Sequence, residues 1–163
     1  MDHMESTEQT TWLNADQQVN WRAFLGATTL LMDRLDRDLR SAHDLSMAEY
    51  EILVRLSEAP DRSIRMAELA AALAHSRSRI THTISRLEKD GLVRRDQCST
   101  DGRGVSAIMT DKGFAALERA AHTHVQGVRT YLVDNASAEE FDVLGRIMQR
   151  VVDQLDENNT CSP

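Results

Sequence analysis

The chain has 163 residues, the length of one ordinary domain, and a formal net charge of −7. Hydrophobic residues at 41% and charged residues at 28% are typical of a globular protein, while 4% aromatics and nine Gly and Pro together favour helices. No apolar run approaches the roughly 20 residues that cross a bilayer, and the polar N-terminal segment lacks the pattern of a secretory signal. The two cysteines, Cys98 and Cys161, exclude a disulfide framework, so we expect a cytoplasmic protein with no membrane partner.

The first predicted helix begins with Asn14 as its N-cap. Gln17 stands three residues later, which is the spacing of a capping box. The following seam residues recur at intervals of four, three, four, three and four: Trp21, Leu25, Thr28, Met32, Leu35 and Leu39. This spacing predicts a narrow contact stripe along one side of a long helix, and the pattern breaks over residues 41–45.

Shorter elements follow the first helix. Ser46 and Glu49 form a second capping box, which opens a helix that ends before Pro60 because proline disfavours helical geometry at the preceding residue. Ser63–Arg65 is typical of a brief extended segment, and the Ala/Leu-rich residues 68–74 predict a short helix.

A second helix and a hairpin complete this block. Ser76 is the expected cap of a helix that runs from about Arg77 to Asp90. The strand-like residues 92–95 and 105–109 flank the turn-rich residues 99–104, which predicts a β-hairpin.

Two helices are predicted in the C-terminal part. Thr110 caps a long one, and Ser137 with Glu140 forms a third capping box that opens the last. The last helix carries a seam at intervals of three, four, three and four: Phe141, Leu144, Met148, Val151 and Leu155. Residues 1–12 and 157–163 are predicted to be flexible.

The positive charge is concentrated in the middle of the chain. Residues 62–103 contain nine Arg and Lys against five Asp and Glu, a net charge of +4, so the remainder carries −11. A basic island in an acidic protein is typical of a local phosphate-binding surface. A chance cluster on a solvated face is the alternative that charge alone leaves open.

The predicted helix from residue 77 to 90 has two different sides. Ile80, Ile84 and Leu87 form the stripe that we expect to be buried. The other sides carry hydroxyl and basic side chains, with no carboxylate between Ser76 and Leu87: Ser78, Arg79, Thr81, His82, Ser85, Arg86 and Lys89. Arginine pairs with guanine and hydroxyls pair with several bases, whereas an ordinary solvated face mixes both signs of charge. The pattern favours a helix that enters the major groove of DNA, with Ser76 and the helix N-terminus at a phosphate.

The hairpin directly after this helix is predicted to be a wing. Arg103 at its tip suits a narrow minor groove, and Asp101 suits a role in holding the tip through an arginine, with Arg86 and Arg94 as alternative partners. Without its neighbours, the hairpin would favour the alternative of an ordinary surface turn.

Four stretches together resemble the MarR (multiple-antibiotic-resistance) family of regulators. They are residues 66–70, 76–88, 91–95 and 101–110, within a resemblance that extends from about residue 13 to 155. The last stretch is similar to the family's wing signature, with Met109 where the family usually has Leu.

The resemblance implies a mainly α fold with a small β-hairpin wing, in which a winged helix-turn-helix lobe joins N- and C-terminal dimerisation helices. In this arrangement residues 13–156 form a single domain, with dimerisation helices at 13–45 and 111–156 and the DNA-binding lobe at 46–110. It further implies a homodimeric repressor on a palindromic operator in double-stranded DNA, without a cofactor. The residues expected to face DNA are Ser76, Arg77, Ser78, Arg79, Thr81, His82, Arg86 and Arg103.

The seams on the first and last helices support dimerisation independently, because their alternation of three and four suits helices that cross at about 20°. Packing of these two helices on each other within one chain is the alternative.

The resemblance also implies release from DNA by a small, often aromatic and anionic effector, in a cleft between the dimer helices and the winged lobe. Side chains that offer apolar walls with polar groups are candidates to line it: Trp21, Phe24, Thr28, His43 and Tyr50.

Other classes of function have weaker support. Cys98 lies beside Arg95, where positive charge favours a thiolate, so a redox-switched repressor is one alternative and a passive thiol another. His122 and His124 lie about 200° apart on a helix and cannot share a metal ion, and His75 with His82 lacks a third ligand, so we predict no metal site.

No nucleophile triad, phosphate loop or metalloprotease motif indicates an enzyme. A winged-helix protein–protein adaptor without DNA binding is the remaining alternative.

Overall fold

The computed structural model describes residues 10–73, 76–97 and 104–160, with side chains described up to residue 156. Six α-helices and three short strands follow one another in the described part. They are α1 (Ala15–His43), α2 (Met47–Glu58), β1 (Ser63–Arg65), α3 (Met66–Ala72), α4 (Arg77–Lys89), β2 (Val93–Gln97), β3 (Val105–Met109), α5 (Asp111–Tyr131) and α6 (Ala138–Thr160). None of the described helices is long and apolar enough to cross a membrane.

The three predicted capping boxes are confirmed. Each cap side chain accepts the backbone N–H three residues ahead, and the side chain at that third position accepts the N–H of the cap. The pairs are Asn14 with Gln17, Ser46 with Glu49, and Ser137 with Glu140. These local contacts explain why the starts of α1, α2 and α6 were visible in the sequence.

The ends of three helices differ from the sequence prediction. α1 continues to His43 and ends where Asp44 adopts a left-handed conformation, with φ of 56°. α3 lies two residues earlier than predicted, at Met66–Ala72. α6 extends to Thr160, four residues into the predicted flexible tail, because residues 157–160 contain no Gly or Pro that would end a helix.

The sheet is antiparallel with the strand order β1–β3–β2. β2 and β3 form the predicted hairpin, in which Val93 lies opposite Met109 and Gln97 opposite Val105. β1, predicted only as an extended segment, pairs with the other edge of β3, with Ser63 opposite Ile108. The hairpin is therefore anchored to the lobe along one edge; we call β2, β3 and their connection the wing.

The core lies in the lobe between α2, α3, α4, the sheet and the first half of α5. On α4, Ile80, Ile84 and Leu87 are buried, as predicted. Thr83 is buried with them, and its hydroxyl donates to the backbone oxygen of Arg79, which satisfies this polar group on the buried side of the helix. Burial of this stripe turns the opposite side of α4 away from the protein.

The terminal helices are partnered very unevenly. α5 crosses the C-terminal half of α1, where Gly127 lies against Leu35 and Tyr131 donates from its hydroxyl to Asp38 at 2.8 Å. The first half of α1 and the described side chains of α6 include no buried residue. Among the described residues, Leu35 and Leu39 at the end of the α1 seam are buried within the chain, whereas the rest of that seam and the α6 seam are not covered by packing of α1 against α6.

Candidate nucleic-acid interface

The outward side of α4 is formed by the residues predicted to face DNA. All of those in the described part are exposed, and we call this set the reading face: Ser76, Arg77, Ser78, Arg79, Thr81, His82 and Arg86. The Ser76 hydroxyl accepts the N–H of Arg79 at 3.2 Å, which caps the helix. The N–H groups of Arg77 and Ser78 lie in the first turn, where a helix offers no internal acceptor, so they remain available to an anion.

Arg77 and Arg79 carry the free positive charge of the reading face. Neither forms an ion pair with an acidic side chain among the described residues. Thr81 uses its hydroxyl hydrogen on the backbone oxygen of Arg77 at 2.8 Å and keeps its oxygen lone pairs for an incoming donor. This end of α4 therefore offers guanidinium donors and hydroxyl acceptors together.

Arg86 has a partner that the sequence analysis did not predict. Its Nε lies 3.1 Å from Oε1 of Glu49, a carboxylate on α2 that is only 2% exposed, whereas the Arg86 side chain is 49% exposed. Arg94 instead pairs with Asp96 at 2.9 Å on the wing. Both arginines considered as partners for Asp101 thus have other carboxylates. The signal for this buried carboxylate in the sequence is that Glu49, the third helical residue of the capping box, stands between Ala48 and Tyr50.

A second unpredicted contact ties the wing to α4. Arg95 on β2 donates from Nε to Oε2 of Glu88 at 3.0 Å and from a terminal nitrogen to the hydroxyl of Ser85 at 2.5 Å. Ser85 also donates to the backbone oxygen of Thr81 at 2.8 Å. Ser85, which the helical periodicity placed on the DNA-facing side, therefore uses its hydroxyl to position the wing.

A cavity of about 480 Å³ separates α4 from the sheet. Its described lining contains three arginines and no carboxylate: Arg65, Met66, Ala67, Arg77, Thr81, Arg95, Gly104 and Val105. The cavity opens beside the reading face, and one of its arginines, Arg95, is already paired with Glu88.

Comparison with known proteins identifies the fold. The family model for MarR matches residues 45–105, which include α2 to the start of β3. The regulator PecS of Dickeya dadantii is 32% identical over 133 residues, which are 78% of this chain and 80% of PecS. The chain belongs to the MarR family of transcriptional regulators.

Solved MarR-family structures match over nearly the whole chain. Sco3205 from Streptomyces coelicolor, solved in complex with DNA, is 42% identical with a TM-score of 0.87 and covers 91% of this chain and 92% of its own. AbsC from the same organism is 36% identical with a TM-score of 0.85, covering 91% and 99%. The predicted winged-helix fold class is confirmed, and so is the prediction of a regulator that is not an enzyme.

Several predicted residues of this MarR-family chain lie outside the described residues. These are Arg103 and Asp101, both predicted for the wing tip, together with Cys98, His75 and Cys161. Their assigned roles stay predictions. Among the residues that are described, no three His, Cys, Asp or Glu side chains are grouped so that they could hold a metal ion.

The five candidate effector residues do not form one cleft within a single chain. Trp21 and Phe24 stack with ring centroids 5.8 Å apart on the exposed half of α1, where the Thr28 hydroxyl donates to the Phe24 backbone. His43 lies 22 residues after Trp21, which is about 33 Å along the helix, and its Nε2 lies 2.7 Å from the Thr123 hydroxyl. Trp21 and His43 are therefore too far apart along α1 to line one cleft in the same chain. The sequence prediction grouped them without considering this length.

Tyr50 lies in a different cavity from His43. This cavity, of about 630 Å³, lies between α2, α3 and α5, where the rings of Tyr50 and His124 have centroids 4.6 Å apart. His124 Nδ1 is buried without a hydrogen-bond partner among the described residues, and burial lowers the pKa of this imidazole, although Glu51 acts in the opposite direction. Burial also disfavours the charged form of Tyr50, which raises the pKa of its hydroxyl. The aromatic pair therefore closes the inner wall of the cavity in its uncharged form.

Proposed function

We propose that this chain is a sequence-specific DNA-binding regulator that inserts α4 into the major groove. The observation that carries the proposal is the reading face itself, which is exposed and bears guanidinium groups on Arg77 and Arg79 that have no acidic partner in the described part of the chain. The carboxylates of Glu49 and Glu88 next to it are both neutralised by arginines. The DNA complex of the related Sco3205 supports the same function.

We assign the contacts by their position on α4. Ser76 and the free N–H groups of the first turn suit a phosphate, and Arg79 suits a guanine edge because its guanidinium has no acidic partner among the described residues. Thr81 and His82, which are also exposed on α4, complete the proposed base-reading set. Arg103 at the wing tip remains the proposed minor-groove contact.

A homodimer accounts for the uncovered apolar seams. Leu25 and Met32 on α1 are 44% and 42% exposed, and Val151 and Leu155 on α6 are 46% and 60% exposed. A single chain of this size gains stability by burying such surface against a copy of itself. Two-fold symmetry then places two α4 helices roughly 34–36 Å apart, on the half-sites of a palindromic operator.

We further propose that the chain represses transcription and that a small aromatic anion releases it. Two cavities support an effector site: the cavity beside α4 offers the guanidinium of Arg77, and the Tyr50–His124 cavity offers an aromatic wall. Release requires that the effector favours a conformation whose two lobes no longer match the operator.

The test is fluorescence anisotropy with the chain's own upstream DNA and a random duplex, over a series of salt concentrations. We expect tighter binding to the upstream DNA and a linear log–log salt dependence with a slope of about −0.9 for each phosphate contacted. Absence of binding to any duplex, including sequences selected from random DNA, would instead support the protein–protein adaptor.

A further inference from the structure

Glu49 is a buried and fully engaged carboxylate of the lobe. It is 2% exposed, and its Oε2 accepts the backbone N–H of Ser46 at 2.8 Å and the Ser46 hydroxyl at 2.6 Å. Its other oxygen, Oε1, lies 3.1 Å from Nε of Arg86 on α4. One side chain thus joins the start of α2 to the exposed side of the DNA-facing helix.

The capping box by itself does not need this negative charge. Glutamine serves as well as glutamate at this position of a capping box, and in this chain Gln17 closes the box of α1. Gln17 and Glu140 are both exposed, whereas Glu49 is buried, where an unpaired charge is unfavourable. The buried charge at position 49 therefore has a use beyond the cap, and its ion pair with Arg86 supplies one.

The geometry of the pair leaves Arg86 able to bind DNA. A guanidinium has five N–H groups, and the ion pair with Glu49 engages it on the Nε side only, at 3.1 Å. The two terminal nitrogens carry the rest, on a side chain of the reading face that is 49% exposed. An arginine held at Nε loses less conformational freedom when its terminal nitrogens bind a phosphate.

We propose that Glu49 is a positioning residue that holds Arg86 in the orientation in which its terminal nitrogens contact the DNA backbone. Arg86 is then a phosphate contact, which strengthens binding to all sequences alike and adds one contact to the salt dependence. This proposal rests on the proposed DNA-binding function and adds a buried residue of α2 to it.

The experiment is a double-mutant cycle in DNA affinity with Glu49→Gln, Arg86→Gln and the double variant. Glu49→Gln keeps the shape and an oxygen for Ser46, but it removes the negative charge that pairs with Arg86. We expect each single variant to weaken operator and random DNA equally, by roughly five- to tenfold, and the double variant to be no weaker than Arg86→Gln alone. We also expect the magnitude of the salt slope to fall by about 0.9 in both single variants.

Glu140→Gln is the matched control, because it makes the same change in the capping box of α6, which has no arginine partner among the described residues. It should leave affinity and salt slope as in the wild type. A solely structural role of Glu49 predicts a lower Tm with an unchanged salt slope and additive effects in the cycle, and that result would overturn the positioning role.

A measurement on the wild-type protein keeps the proposal testable if Glu49→Gln does not fold. The Nε–H signal of Arg86, assigned by its loss in Arg86→Gln, should show restricted motion in NMR relaxation because the ion pair with Glu49 holds the guanidinium. A freely moving Arg86 guanidinium would refute the positioning role. If the wild type binds no duplex, the proposed function fails; if it binds with an additive cycle, only the role of Glu49 fails.

Discussion

Nε of Arg95 on β2 lies 3.0 Å from Oε2 of Glu88 near the end of α4, and the backbone N–H of Arg95 donates to the other oxygen of the same carboxylate at 3.2 Å. The wing and the reading face are thereby joined through one carboxylate. In the proposed complex α4 enters a major groove while the wing enters a minor groove. This contact therefore sets the relative position of the wing and α4 before DNA binds.

The first prediction concerns this contact. Glu88→Gln keeps the side-chain shape and removes the charge, so we expect operator affinity to fall roughly threefold because the wing is less well ordered. Stability should change little, since partly exposed ion pairs contribute about 0–1 kcal/mol. Anisotropy and thermal unfolding measure the two effects. Asp33→Asn, which breaks the exposed Asp33–Arg37 pair of α1, is the control and should change neither.

The second prediction separates base reading from phosphate binding. Arg79→Ala should weaken the operator complex and also reduce the ratio of operator to random-DNA affinity, by about 1–3 kcal/mol if Arg79 pairs with a guanine. Affinities for the operator and for single-base variants of it provide the measurement. A loss of the same size on every sequence would make Arg79 a phosphate contact.

Arg103→Ala should weaken operator binding without unfolding the dimer.

The third prediction tests the homodimer. Val151→Glu places a charge in the exposed apolar seam of α6, so the interface would have to bury an unpaired carboxylate. We expect a monomer in light scattering after size exclusion, together with loss of operator binding. Gln149→Glu adds the same charge on the polar side of α6 and should leave the dimer intact. A Val151→Glu protein that remains dimeric would place the interface elsewhere.

The fourth prediction concerns the junction of the wing with α5. A Cβ on Gly113 would lie 2.1 Å from the backbone oxygen of Leu92, so Gly113→Ala should lower the free energy of unfolding by about 3 kcal/mol. A Cβ on Gly26 of α1 would have nothing within 4 Å, and Gly26→Ala should stabilise the chain by about 0.5–1 kcal/mol. Denaturant titration measures the free energy of unfolding of both variants. A similar free energy of unfolding for the two would contradict the close approach at Gly113.

The fifth prediction is a loss of stability in acid that depends on His124. Burial lowers the pKa of this imidazole below its usual value of about 6.5, so the unfolded chain takes up a proton more readily than the folded one. The free energy of unfolding should therefore decrease as the pH falls below about 6.5, until the pKa of the folded state is passed. His124→Phe retains the ring against Tyr50 and should remove this part of the acid sensitivity. His122→Phe, at an exposed position, should retain it.

Much of the fold follows from local chemistry. Cap and third residue lie within one helical turn, so the starts of α1, α2 and α6 could be predicted without knowledge of the rest of the chain. The buried stripe of Ile80, Ile84 and Leu87 follows from the helical period, which simultaneously assigns the opposite side to solvent. The sequence by itself therefore determined the element order, the reading face and the basic charge around it.

Tertiary structure decided which charges of that face are free. The partners of Arg86 and Arg95 come from α2 and from the end of α4, and no local spacing relates residue 49 to residue 86. The same limit applies to Trp21, His43 and Tyr50, which the sequence predicts for one cleft: within one chain the length of α1 separates the first two, and the third faces His124. Periodicity determines which side of an element is buried, whereas only the packing of distant segments decides which side chains meet.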